Sequence, residues 1–408
     1  MKLFRKDKIK KRLPSNEIVS EEAVRHDGFN FPEMIIIMML AIIFGFFLGN
    51  FINIGRVFGN TNNNEIQEFV DTYDEIVANY YDDVDKDSLI DAAIQGMISS
   101  LDDPYASYFS GSSSDTFTES LSGTYNGIGI EVAQTEAGIM VNRIFDDTPA
   151  ASTGLKEGDR LIAINGEDIT SLSLSEAVAK IKDSATGTEV ILTVMRGEEK
   201  LDFKVKTTTV INPLVTSSMY SQDGKMIGYI KIDIFAANIA DQFESTLDEL
   251  EEKNIDSLII DVRDNPGGYL GQTEEILSLF MDNKKVLYQL QSKNNIEKVY
   301  GLSKKVDRNY PVVVLINENS ASAAEILASA FKENYNSEIV GVTSYGKGTV
   351  QKLDTLSNGD TFKYTMQKWL TPNGNDINEK GVTPTKEVSL TGADKDDQLE
   401  TALQILSE

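Results

Sequence analysis

The sequence predicts a multi-domain α/β protein with a single amino-terminal transmembrane helix, a helical segment, a β-rich module and a layered α/β core. Three observations predict it. Residues 34–49, MIIIMMLAIIFGFFLG, are wholly apolar. From about 117 to 206 the chain changes to short β runs broken by Gly, Pro and Asn. After Thr207, apolar strand runs alternate with helix-length amphipathic patterns.

The apolar run continues to Ile54 with only Asn50 and Asn53 as interruptions, reaching the ~20 residues a spanning helix needs. It is apolar on every face, unlike the one-sided helix of a globular core. Residues 1–32 carry eight basic side chains against five acidic ones. The positive-inside rule therefore places this tail in the cytoplasm, a signal anchor at 33–55 and everything beyond it outside the membrane. A cleaved signal peptide is the rival reading; the leader is long for one, and no A-x-A-like site follows the run.

Residues 61–64, TNNN, are a polar linker opening a helical region over 60–116. Apolar residues at helical spacing (Ile66, Phe69, Val70, Tyr73, Ile76, Val77, then Leu89, Ala92, Ala93, Ile94, Met97) predict two helices there. The GSSSDT stretch at 111–116 is predicted to be a loop from its composition. The β-rich module follows at 117–206, with one helical pattern at 173–182. The core spans 207–392, with strands at 226–232, 257–262, 312–316 and 338–342 and helices at 238–253, 271–281 and 321–335. A short helix ends the chain at 393–408.

Composition narrows the chemistry. A net charge of −26 lacks the basic footprint that nucleic-acid phosphates require. There is no cysteine, and the one histidine, His26, precedes the apolar run. Beyond that run a Ser-His-Asp triad, a thiol nucleophile and a cysteine- or histidine-built zinc site are all excluded. Any hydrolase here works without histidine, and the sequence calls for no metal or cofactor.

In the module, Tyr125-Asn126-Gly127-Ile128-Gly129-Ile130 reads alone as a tight turn entering a strand. Together with DDTPAASTGLKEGDRLIAINGEDI at 146–169 and GTEVILTVMRG at 187–197, it resembles a PDZ domain. That resemblance implies a glycine-rich loop, Gly127 to Gly129, offering N–H groups to a peptide's terminal carboxylate. The groove would be floored by Ile128 and Ile130 and walled by the helix near Ala177, with the peptide added as a strand.

Further on, PVVVLINENSASAAEILASAFKEN at 311–334 is a strand, a polar turn and a helix. Ser320 or Ser322 sits near the helix amino terminus, where backbone N–H groups suit an oxyanion as well as an N-cap. Downstream, VGVTSYGKGTVQ at 340–351 places Lys347 in a glycine-flanked turn. Gly341 to Lys347 fits most of a phosphate-binding loop, but Gly348 stands where a magnesium-holding Ser/Thr is needed. A buried lysine, kept neutral by desolvation, is instead a general base for serine, and this histidine-free solution fits the composition.

At this point NENSASAAEI followed by GVTSYGKGTVQ resembles the signature pair of the carboxy-terminal processing proteases, also called tail-specific proteases. VANYYDDVDKDSLIDAAIQGMISSLDDPYASYF, DVRDNPGGYL at 261–270 and KWLTPNGNDINEKGVTPTKEV at 368–388 agree, in family order, so the likeness covers the chain from residue 65 onward. The resemblance implies Ser322 as nucleophile, Lys347 as base and Gln351, one helical turn on, orienting the lysine through its side-chain oxygen. Ser320 becomes the turn residue. The oxyanion hole would combine the N–H of Ala323 with that of Gly267 or Gly268. Arg263 and Asp264 stand open between a structural ion pair and a substrate contact, and Glu325 and Glu333 are expected to be structural. The chain departs from the family at Ala324, for a frequent serine, and at Thr385, for a usual aspartate.

The family likeness further implies a crotonase-like ββα core, protein or peptide substrates with apolar carboxyl termini, a bacterial envelope setting and a homodimer supported by the helical segments. A PDZ scaffold with an inert protease fold is the competing class. A gated enzyme, active only when the PDZ groove is filled, is compatible with the first reading.

Overall fold

The computed structural model describes residues 64–302, 306–392 and 395–408. The expected anchor at 33–55 and its basic tail lie outside the described residues, among which no helix is long and apolar enough to cross a membrane. The chain divides into two compact units, residues 1–86 and 87–408. In the first, helix α1 (Asn64–Asn79) buries none of its residues, and Ile66, Phe69, Val70 and Ile76 are exposed.

The second unit opens with α2 (Lys86–Ser99), the short strand β1 (Ser107–Phe109) and α3 (Ser112–Ser122). The last corrects the loop expected at 111–116. Serines are tolerated in a first helical turn, and here Ser114 is buried, donating from Oγ to the Gly359 carbonyl at 3.0 Å and bonding Thr361 Oγ1 at 2.7 Å. Phe117 then stacks on Phe109 with ring centroids 4.4 Å apart. Tertiary contacts thus outweigh the loop-like composition.

Strand β2 (Thr124–Gly127) leads into the β-rich module: β3 (Ile130–Thr135), β4 (Gly138–Ile144), β5 (Arg160–Ile164), β6 (Glu167–Asp168), α4 (Leu174–Lys182), β7 (Glu189–Arg196) and β8 (Glu199–Lys206). Strand β9 (Thr208–Ile211) leads out and pairs antiparallel with β2. The module's strand order is β3-β4-β5-β7-β8, so β3 forms an edge. The helix starts where the sequence puts Ser173 three residues before Glu176: the Ser173 N–H donates to the Glu176 carboxylate and its Oγ accepts the Glu176 N–H, a capping box. Val141, Leu161, Val190, Leu192 and Val194 fill the module's core.

The core adds β10 (Val215–Gln222), β11 (Lys225–Ile232), α5 (Ile239–Glu252), β12 (Ser257–Asp261), α6 (Leu270–Ser278), β13 (Val286–Ser292) and β14 (Asn295–Tyr300). It continues with β15 (Val312–Ile316), α7 (Ala323–Ala330), β16 (Glu338–Gly341), β17 (Thr349–Thr355), β18 (Thr361–Leu370), β19 (Lys386–Glu387) and α8 (Asp397–Ser407). One sheet runs β10-β11-β12-β15-β16-β19, parallel from β11 onward. Strands β12 and β15 are buried throughout, which is why they read as unbroken apolar runs. Their alternate residues serve two cores: Leu258, Ile260, Val312 and Val314 face α5 to α7, whereas Ile259, Val313 and Leu315 meet Ala402 and Leu406 of α8.

Helix α5 buries Ile239, Phe243, Leu247 and Leu250, one stripe at helical period. On the far side of these helices a second sheet, β1-β18-β13-β14 with β17 on β18, contributes Tyr288 and Trp369 to the same core. The order is therefore helix, sheet, helices, sheet, a layered α/β packing.

Candidate active site

The turn after β15 delivers two serines to different fates. Ser320 is fully buried; its Oγ donates to the Val262 carbonyl at 2.8 Å and accepts the Asn317 N–H at 2.9 Å. It closes the turn, as expected. Ser322 stands at the head of α7 with φ 55° and ψ −115°. Such a conformation is disfavoured for a residue with a Cβ and costs about 1–3 kcal/mol, so it persists only where the surroundings enforce it. Ser322 lines a cleft of ≈ 540 Å³.

The enforcing surroundings are the loop 263–268. Asn265 is fully buried, its Nδ2 donating to the Ile232 carbonyl and its own carbonyl accepting the Ala321 N–H. Asp264 accepts from the side-chain amides of Asn317 and Asn319, both at 2.8 Å. The two loops are thereby stapled together. Gly267, at φ 99°, comes so close that a Cβ on it would lie 2.8 Å from Ser322 Cβ. Its N–H donates to Asn265 Oδ1 at 2.8 Å. The N–H groups of Gly268 and Ala323 donate to no acceptor among the described residues.

Arg263 turns away from the cleft. It pairs with Asp261 at 2.6 Å and Asp396 at 2.8 Å, fastening α8 to β12. Of the two readings, the structure shows the ion pair. Glu333 likewise accepts the Asn373 N–H at 2.7 Å, Ala324 is buried in the core, and Thr385 accepts the Ile339 N–H through its hydroxyl, joining β16 to the segment before β19.

Lys347 lines the same cleft. Burial pushes its pKa down, and the nearby Lys363 pushes in the same direction, while Asp103 and Glu325 oppose them. Its Nζ lies 4.9 Å from the ring centroid of Tyr105. The turn that carries it is held by Glu325, which is fully buried: Oε1 accepts from Ser344 Oγ at 2.6 Å and the Gly346 N–H at 2.7 Å, and Oε2 from the N–H groups of Lys347 at 2.9 Å and Ser322 at 2.7 Å. Burial raises the Glu325 pKa while these donors pull it back.

Gln351 also lines the cleft, on strand β17. This corrects the helical turn expected between it and Lys347: Lys347 lies in the turn before the strand, and what brings the two together is that both line one cleft. Gln351 Nε2 donates to Thr349 Oγ1 at 2.9 Å and Thr365 Oγ1 at 3.2 Å.

Two residues that no sequence motif singled out belong here. Lys363, paired with Leu353 in the β17–β18 ladder, lines the cleft. Asp103 accepts the Tyr105 and Thr365 N–H groups, both at 3.0 Å, and so brings the 101–109 segment across β18 to Lys347.

In the module, β3 is an open edge beginning at half-buried Ile130, and the Ile128 and Gly129 N–H groups make no hydrogen bond among the described residues. Gly127 ends β2 opposite Thr208. Ile128 and Ala177, expected along the groove, are buried in the module's core at 2% and 3% exposure. The Ile128 carbonyl accepts the Ala150 N–H, which draws that residue inward.

Comparison with known proteins gives three profile matches: Peptidase family S41 over residues 226–388, PDZ domain over 126–207 and Activating protease CtpB N-terminal domain over 55–112. The chain is 40% identical over 314 residues to carboxy-terminal processing protease CtpB of Bacillus subtilis, covering 76% of this chain and 65% of that protein. It is 35% identical over 346 residues to CtpA of the same organism, covering 85% and 73%. The chain thus spans just under two thirds of the first relative's length. Among solved structures, the photosystem II D1 C-terminal processing protease matches with a TM-score of 0.45 and 23% identity, covering 81% of this chain and 89% of that one.

Proposed function

The chain belongs to the carboxy-terminal processing proteases of peptidase family S41, and from that membership we propose that it hydrolyses peptide bonds with Ser322 as nucleophile and Lys347 as general base. The observation that carries this reading is the pairing, in one cleft, of a serine held at positive φ with a lysine whose charged form burial disfavours.

Neutral Lys347 takes the Ser322 proton as Oγ attacks the scissile carbonyl. The oxyanion is received by the N–H groups of Ala323 and Gly268, the two left free, whereas the Gly267 N–H is occupied by Asn265. Protonated Lys347 gives its proton to the leaving amine, and water then hydrolyses the acyl-enzyme ester. Gln351, its amide nitrogen held by two threonines, is left with its oxygen as the acceptor that orients the lysine.

The PDZ domain recognises or gates apolar substrate carboxyl termini, a role supported by the open β3 edge and the free loop N–H groups. Residues 33–55 anchor the protein, with the catalytic part outside the cell. The exposed apolar stripe of α1 suits a homodimer contact.

The test is cleavage of an unstructured protein ending in apolar residues by the full-length chain, beside Ser322→Ala and Lys347→Ala. The variants are expected to lose about three orders of magnitude or more. Equal cleavage by all three rules the assignment out.

A further inference from the structure

A second lysine in the cleft forms no ion pair among the described residues. Lys363 Nζ lies 5.1 Å from the Phe117 ring centroid and 5.5 Å from that of Phe109, and these two rings are stacked. Aromatic faces attract and orient an ammonium but take none of its hydrogen bonds. The Lys363 side chain forms no ion pair or hydrogen bond with the described residues. The acid that acts on it electrostatically, Asp103, already accepts two backbone N–H groups.

The cleft has an unusual charge for this chain. Its lining includes no Asp or Glu, and its two lysines are Lys347 and Lys363, in a protein of net charge −26. Lys347 is the base and works uncharged, so Lys363 is left as the cation. The remaining wall near it is largely apolar, with Phe117, Leu121, Val350 and Leu353. A half-buried cation with unfilled donors and apolar surroundings favours an anionic partner that arrives with three features: a carboxylate, apolar neighbours and an extended backbone.

We propose that Lys363 is a substrate subsite that binds a carboxylate of the peptide, making the cleft selective for an acidic group displaced from the scissile bond. The inference rests on the peptidase reading. The displacement follows from the ladder: Lys363 lies opposite Leu353, two residues along β17 from Gln351, which is about 7 Å of strand. Burial lowers the Lys363 pKa, and an arriving carboxylate restores the charged form. Two sources share this chemistry, an Asp or Glu side chain and the chain's terminal carboxylate.

The experiment measures peptide binding by the full-length chain carrying Ser322→Ala, which separates binding from cleavage. Labelled apolar decapeptides with amidated ends carry one Glu, moved position by position, each against its Gln counterpart. A further pair differs only in a free or amidated carboxyl terminus. At one Glu position, or for the free terminus, binding is expected to be about tenfold tighter or more, since a site built for a polar partner rejects the analogue lacking it. Adding Lys363→Met, or Lys363→Gln where the first does not fold, brings that ratio to near one, and Lys363→Arg retains it. Which pair responds identifies the source. A ratio of one in every pair, or a preference that survives Lys363→Met, overturns the proposal. Failure of the unsubstituted protein to cut any of these peptides counts against the peptidase reading alone.

Discussion

The backbone N–H groups of Ser322 and Lys347, 25 positions apart, converge on a single oxygen, Oε2 of Glu325, at 2.7 and 2.9 Å. The distance between the two turns is thus set by one buried carboxylate. Hydrogen bonds to a charged acceptor are worth about 1.5–3 kcal/mol each. Glu325→Ala, which orphans four donors, is expected to destabilise the protein by about 3 kcal/mol or more in a denaturant melt. Glu325→Gln keeps the volume but sets its NH₂ against the Gly346 N–H or, flipped, against the N–H groups of Ser322 and Lys347. It is expected to fold and to lose at least about tenfold in kcat.

Gly267→Ala forces a Cβ to within 2.8 Å of both Ser322 Cβ and the Ala321 carbonyl oxygen, at a φ of 99°. Backbone strain of this kind costs about 1–3 kcal/mol. The expected result is a modest fall in melting temperature with a much larger fall in kcat, because the displaced atoms are those of the nucleophile. Retained wild-type kcat in a folded Gly267→Ala protein excludes the close approach.

The rate of cleavage is expected to rise with pH and level off below the ordinary lysine range. Lys347 is active when neutral, and its pKa is lowered first by burial and then by Lys363, against Asp103 and Glu325. The Tyr105 ring also favours the charged form. Removing the cation in Lys363→Met moves the rise to higher pH; removing the anion in Asp103→Asn moves it to lower pH. A pH–rate profile of kcat for the three proteins decides, and shifts of the opposite sign remove Lys347 from the base role.

Arg263 is mostly buried and holds Asp261, itself 1% exposed, together with Asp396 at the start of α8. Removing one partner of a buried pair costs about 3–5 kcal/mol. Arg263→Ala is expected to lose this and to speed amide exchange selectively over 397–407. Arg263→Lys rescues little, since the fork that reaches both carboxylates is lost.

The legible parts of this chain are those whose local pattern is also their tertiary role. SLIID and VVVLI read as strands because both faces are buried, and the Ser322 turn reads as a strand–helix junction because it is one. TFKYTMQKWL and VLYQLQS were not legible: β13 and β18 mix polar and apolar residues, and their pairing to each other spans about eighty residues of chain. Glu325 gave no signal beyond helix compatibility, since its function depends on donors 19 to 22 positions downstream. Lys363 and Asp103 were invisible for the same reason, as the Asp103–Thr365 bond joins positions 262 apart.

The chain enters and leaves the PDZ domain through β2 and β9, which lie side by side with Thr124 opposite Ile211. Partners in such a ladder have Cα atoms about 4.5–5.5 Å apart. The two cut points are therefore near enough to be rejoined by a two-residue hairpin. In topological terms the domain is a cassette spliced into a single gap of an otherwise continuous protease, and another domain with adjacent termini fits the same gap.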